Sequence, residues 1–135
     1  MYGDIAMDTL LYNSLSSLSK SLDMELFPTY SFGRIYSQGD ELHKHKDRPS
    51  CEISGTLNLG GDPWSIFLKD TNKKNVEITL NPGDILMYKG ADLEHWRKPF
   101  LGKICAQVFL HYTTNKKNIY DGRPMLGLPP YFKSK

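Results

Sequence analysis

The fold is decided by residues 51–89, CEISGTLNLGGDPWSIFLKDTNKKNVEITLNPGDILMYK. Four short segments rich in apolar residues, 51–59, 64–69, 75–80 and 85–89, are separated there by clusters of Gly, Pro, Asn and Asp. Such clusters favour tight turns, because glycine permits positive φ and Asn or Asp side chains bond to their own backbone. Many short strands joined by turns of this kind are typical of an all-β sandwich or jelly roll.

The strand pattern extends in both directions from this stretch. Before it, Tyr30, Phe32, Arg34 and Tyr36 alternate with other residues, which is the period of a strand, and a turn follows at Gly39. After it, residues 103–112 form a further strand candidate. We therefore predict an all-β sandwich or jelly-roll core over about residues 28–112.

A single helix is predicted ahead of the core. Leucines recur at intervals of 4, 3, 4 and 4 residues, at positions 11, 15, 18, 22 and 26, which forms one apolar stripe on a helix. Asp4 and Asp8 suit its first turn, and Pro28 is a stop signal. We expect the helix to span about residues 4–24 and to cover one face of a sheet.

Length and composition fit one mainly β domain over residues 1–135, closed by a proline-rich strap at 113–135. Hydrophobic residues make up 39% and charged residues 24%, which argues against a disordered or collagen-like chain. The net charge is only +2, so no footprint for nucleic acid or an anionic membrane follows. With two cysteines and neither a signal peptide nor a membrane span in the sequence, we expect a cytoplasmic protein. The sequence gives no indication of the oligomeric state.

The candidate chemistry lies in an H-x-D pair and a distant histidine. On an extended segment His45 and Asp47 point the same way, so both could ligate one divalent ion. His95 follows 50 residues later, beyond the strand at 85–89. Two histidines and one carboxylate on one face of a metal form the facial triad of non-haem Fe(II) oxygenases, with the opposite positions open. His43 is an alternative ligand, which would give a cupin-like H-x-H pair with His45.

Residues 28–112 resemble the 2-oxoglutarate- and Fe(II)-dependent dioxygenases, especially the branch related to prolyl 4-hydroxylases. The resembling segments, in order, are Tyr36-x-x-Gly39, His45-x-Asp47, CEISGTLNLGG at 51–61, NPGDILMY at 81–88, LEHW at 93–96 and KICAQVFLH at 103–111. The resemblance implies a double-stranded β-helix, which is a jelly roll with Fe(II) in one mouth, held by His45, Asp47 and His95. It also implies an enzyme that couples decarboxylation of 2-oxoglutarate to hydroxylation of a substrate with O₂.

The resemblance implies a basic residue that binds the distal carboxylate of 2-oxoglutarate. The family usually places it 8 to 11 residues after the second histidine, which points to Lys103. Arg34 and Arg97 are alternatives, because an arginine offers the bidentate fork that lysine lacks. Tyr36, nine residues before His45, corresponds to a tyrosine that contacts the cosubstrate.

Two other functions remain open at this point. One is a cupin-like module that binds a metal or ligand without turnover, and the other is a purely structural jelly roll. The core pattern contains no large insertion, which suggests an open mouth and favours a peptide, protein or other extended substrate over a tightly enclosed small-molecule substrate, although a small molecule remains an alternative. The sequence does not identify the substrate.

Overall fold

The computed structural model describes residues 1–119. Its helix is α1 (Ile5–Leu22), and eight strands follow it. They are β1 (Phe27–Ser37), β2 (Leu42–His45), β3 (Ile53–Gly61), β4 (Ile66–Lys69), β5 (Asn75–Ile78), β6 (Ile85–Tyr88), β7 (His95–Arg97) and β8 (Ile104–Thr113). The predicted strap falls largely on residues 120–135, which lie outside the described part. No helix within residues 1–119 is long and apolar enough to cross a membrane.

The strands form two four-stranded antiparallel sheets. The large sheet has the order β1-β8-β3-β6, and the small sheet has the order β2-β7-β4-β5. Hydrogen bonds from Arg97 on β7 towards Thr56 on β3 and Gln107 on β8 cross from one sheet to the other. The two sheets therefore face each other as a jelly roll, which confirms the predicted fold class.

Helix α1 begins and ends at local backbone signals. The Asp4 side chain accepts hydrogen bonds from the amides of Ala6 and Met7, which caps the first turn. At the other end Asp23 adopts the left-handed conformation (φ 51°), and its amide bonds back to the Lys20 carbonyl. The helix thus ends six residues before Pro28, which lies inside β1, an edge strand that tolerates a missing donor.

The leucine stripe of α1 covers the outer face of the large sheet, as predicted. Leu11 is buried and packs in one cluster with Ile53, Val108 and Leu110 from the sheet. The inner face of the same sheet is more polar, because alternate residues of a strand point to opposite faces. Its inward row on β3 and β8 is Ser54, Thr56, Asn58, Gln107 and His111. The apolar core therefore lies under the helix, and the space between the sheets is free for polar chemistry.

Candidate metal centre

Strands β2 and β7 bring the three predicted metal ligands together. The strands are antiparallel, with His45 at the end of β2 opposite His95 at the start of β7, and Asp47 follows two residues after His45. One ligand atom from each of the three side chains lies within 4.8 Å of the others. The Oδ1 atom of Asp47 is 3.4 Å from the Nε2 atoms of both histidines.

Backbone carbonyls orient both imidazole rings. Nδ1 of His45 lies 2.8 Å from the His43 carbonyl oxygen, and Nδ1 of His95 lies 2.9 Å from that of Leu93. A carbonyl only accepts, so in each ring Nδ1–H donates to it, and Nε2 faces Asp47. Hydrogen bonds of this kind from the second ring nitrogen hold metal-binding histidines in place.

Asp47 is held on three sides. Its amide donates to the Gly90 carbonyl at 2.8 Å, and Ser54 Oγ donates to its Oδ2 at 2.7 Å. A Cβ atom at position 90 would overlap Asp47 Oδ2 and Ser54 Oγ, so glycine makes room for the carboxylate. Burial alone would raise the pKa of Asp47, but hydrogen bonds from His45, His95 and Ser54 hold it well below its usual value.

The same contacts act on the histidines in the metal-free site. The hydrogen bond with Asp47 raises the pKa of His45 above its ordinary value, against the effect of burial. Bonds of about 2.1 Å at right angles place neighbouring ligand atoms about 3 Å apart. The two separations from Asp47 Oδ1, at 3.4 Å, are close to that spacing, and all three ligand atoms lie within 4.8 Å of one another, so the donor set would fit a divalent ion after the side chains draw together.

Arg97 carries a buried positive charge in the interior. Its side chain is 2% exposed, and it shares the inward face of β7 with His95. Nη1 donates to the Trp64 carbonyl, while Nη2 lies 3.4 Å from Thr56 Oγ1 and 3.5 Å from Gln107 Oε1. Nε has no hydrogen-bond partner within the described residues, and no carboxylate there forms an ion pair with the guanidinium. Burial lowers the pKa of Arg97, as expected for a cation in a poorly solvated site.

The other predicted cosubstrate contacts lie in different environments. Tyr36 is buried, and its ring packs edge-on against Trp64. Arg34 is exposed, although its guanidinium lies 4.6 Å from the centre of the Tyr36 ring. Lys103 is also exposed and precedes the first residue of β8, with its amide bonded to Asp62.

The remaining histidines are separate from the cluster. His43 is exposed and contacts Glu41 at 3.2 Å, so the alternative H-x-H pair does not form. His111 is buried on β8, with Nδ1 3.0 Å from Ser54 Oγ. Gly90 was not predicted from the sequence, because nothing in the sequence marks its contact with Asp47. Ser54 could have been noticed as a polar residue on the inward row of a strand.

Solved structures with a similar fold include oxygenases and cupin domains. A 2OG-Fe(II) oxygenase family oxidoreductase from Burkholderia pseudomallei matches with a TM-score of 0.67, 11% identity, and coverage of 75% of this chain and 51% of that chain. A Pseudomonas putida prolyl-4-hydroxylase matches with a TM-score of 0.58, 18% identity, and coverage of 82% and 63%. The Drosophila melanogaster CENP-C cupin domain matches with a TM-score of 0.50, 11% identity, and coverage of 64% and 72%.

These similarities define the class of fold, a jelly roll of the kind found in oxygenases and cupins. The chain spans about half the length of the Burkholderia oxygenase. No protein-family model and no curated protein sequence matches the chain.

Proposed function

We propose that the protein is an Fe(II)- and 2-oxoglutarate-dependent oxygenase, in the form of a hydroxylase. One observation carries the proposal, namely the convergence of His45, Asp47 and His95 at the mouth between the two sheets. Two imidazoles and one carboxylate are the donor set of the non-haem Fe(II) oxygenases. The similarity of the fold to 2OG-Fe(II) oxygenases supports this choice of metal chemistry.

In this proposal the three side chains would hold the iron with which 2-oxoglutarate and O₂ would react. Bound iron would supply the oxidation of a substrate C–H bond, coupled to conversion of 2-oxoglutarate to succinate and CO₂. The carbonyls of His43 and Leu93 keep Nε2 of each histidine directed at the ion. A peptide or protein remains the substrate class that we favour.

Arg97 is the residue that we propose as the partner of the distal carboxylate of 2-oxoglutarate. A buried guanidinium without a carboxylate partner is costly, and an anionic ligand would offset that cost. The planar fork of arginine also suits bidentate binding of a carboxylate. Lys103 and Arg34 are exposed, so their charges are already solvated and gain less from a bound anion. Tyr36 would line the same interior space.

The test is the visible absorption of the protein with Fe(II) and 2-oxoglutarate under anaerobic conditions. We expect a weak charge-transfer band that His45→Ala abolishes. His43→Ala is the matched control, because it removes an exposed histidine two residues away and should leave the band intact. A folded wild-type protein without the band would contradict the proposal.

A cupin-like binding module is the second candidate, favoured by the similarity to the CENP-C domain. Such a module would bind a divalent metal ion without converting 2-oxoglutarate to succinate. Succinate release, measured with iron, ascorbate and panels of peptides and amino acids, separates the two functions.

A further inference from the structure

The two oxygen atoms of Asp47 have different partners. Oδ1 faces Nε2 of His45 and of His95. Oδ2 points away from the histidines, to the hydroxyl of Ser54 at 2.7 Å. One oxygen is therefore directed to the candidate metal position, and the other is fixed by the protein.

Ser54 is itself fixed from behind by His111. Ser54 has 0% exposure in the middle of the large sheet, and His111 is its direct neighbour on β8. Ser54 Oγ lies 3.0 Å from His111 Nδ1, and the Cys51 carbonyl is a more distant acceptor at 3.2 Å. A hydroxyl has one proton, so if it donates to Asp47 it must accept from Nδ1–H of a neutral His111.

Burial favours the neutral ring that this arrangement needs. His111 is 7% exposed, and desolvation lowers its pKa to about 4. The Tyr30 ring packs against the His111 ring with centroids 4.6 Å apart. The imidazole thus has little freedom to turn its Nδ1 proton away from Ser54.

From this chain of contacts we infer that Ser54 and His111 are positioning residues, which aim Oδ1 of Asp47 at the metal through a His111–Ser54–Asp47 relay of hydrogen bonds. The inference rests on the proposed function in needing a metal at His45, Asp47 and His95. Neither residue is one of the three candidate ligands. Their role is to hold the carboxylate in its ligating orientation before the ion arrives, and this lowers the cost of ordering it on binding.

The experiment is a Co(II) titration of the metal-free protein, followed by the visible d–d spectrum, without 2-oxoglutarate. Loss of a hydrogen-bond partner of a metal ligand typically costs 10–100-fold in affinity, so we expect Ser54→Ala to weaken Co(II) binding by at least about 10-fold and to alter the spectrum. Ser31→Ala is the matched control. Ser31 is an equally buried serine on the outward face of the same sheet, where it donates to Asp8, and its loss should change neither quantity.

Replacements of His111 keep the inference testable if Ser54→Ala folds poorly. His111→Asn retains an N–H donor near the position of Nδ1 and should keep near wild-type affinity, whereas His111→Phe lacks the donor and should behave as Ser54→Ala. Wild-type Co(II) binding with no difference between Ser54→Ala and Ser31→Ala, or between the two His111 variants, would overturn the relay and leave the metal site standing. Absence of Co(II) binding to the folded wild-type protein would overturn both.

Discussion

At the scale of single residues, His111 makes the metal-free protein sensitive to acid. Its pKa is lowered by burial to about 4 in the folded protein, against about 6.5 in an unfolded chain. Between these values the unfolded chain binds a proton that the folded protein excludes, so the free energy of unfolding falls as the pH falls. The contribution of the neutral His111 ring to the free energy of unfolding is fully present above about pH 6.5 and is lost as the pH falls towards 4.

When the pH is lowered from 7.5 to 5.5, we expect protonation of His111 in the unfolded chain to lower the free energy of unfolding by about 1 kcal/mol. Asparagine does not titrate, so His111→Asn should show a shallower pH dependence by that amount. Urea unfolding in the presence of a chelator at both pH values measures the difference. His45, whose pKa is raised, acts in the opposite direction but is present in both proteins. Equal pH dependence of the two proteins would contradict the assignment.

The residues of the site differ in how far the sequence alone could predict them. His45 and Asp47 were predictable because they lie two residues apart, and i, i+2 geometry is local. The importance of Arg97 was not predictable to the same degree, because a basic residue after a histidine has the same sequence pattern whether it is exposed or buried. Its burial depends on which face β7 turns towards the large sheet, and that is set by pairing with distant strands.

At the scale of elements, the strands that carry the site are the least visible in the sequence. β2 has four residues and β7 has three, and neither has an apolar period long enough to detect. The longer strands β1, β3 and β8 were predicted to within a few residues, since their inward and outward residues alternate over nine or more positions. The sheet around the site was thus predictable, whereas the two short strands that bring His45 and His95 together were not.

Helix α1 and the site lie on opposite faces of the large sheet, so their perturbations should be separable. Leu11 is 2% exposed in the apolar cluster under the helix, and Leu11→Ala should lower the free energy of unfolding by about 2–5 kcal/mol. Tyr12→Ala, at a neighbouring residue that is 58% exposed, should change it by less than about 0.5 kcal/mol. Urea denaturation measures both values. Where Leu11→Ala remains folded, its Co(II) affinity should equal that of the wild type, and a large loss would show that the two faces are coupled.

At the scale of the whole molecule, the jelly roll separates its stabilising core from its polar interior. The cluster of Leu11, Ile53, Val108 and Leu110 is closed by α1 and holds the large sheet in shape. Between the sheets, the inward polar row and Arg97 add desolvation costs that a purely structural barrel would not need. Such an interior suits the anionic cosubstrate that we propose.

This separation predicts that one substitution has a small effect on the free protein and a large effect on the ligand-bound protein. In the ligand-free protein Arg97→Met removes an unpaired buried charge, which is favourable, but also removes the hydrogen bonds to the Trp64 carbonyl and to Gln107, which is unfavourable, so the Tm should stay within a few degrees of the wild-type value. Losing one partner of a buried charge pair costs at least about 2 kcal/mol, so the affinity for 2-oxoglutarate should fall by about 30-fold or more.

Thermal unfolding with Mn(II), with and without 2-oxoglutarate, measures both effects. A ligand at 100 times its Kd stabilises the folded state by about 2.7 kcal/mol, which corresponds to several degrees in the Tm of a domain of this size. In Arg97→Met the rise in Tm on adding Mn(II) should persist, whereas the further rise in Tm on adding 2-oxoglutarate should disappear. Lys103→Met and Arg34→Met are the controls, since both side chains are exposed and should keep both increments. Loss of the 2-oxoglutarate increment in either control, with Arg97→Met unaffected, would transfer the role of the carboxylate partner to that residue.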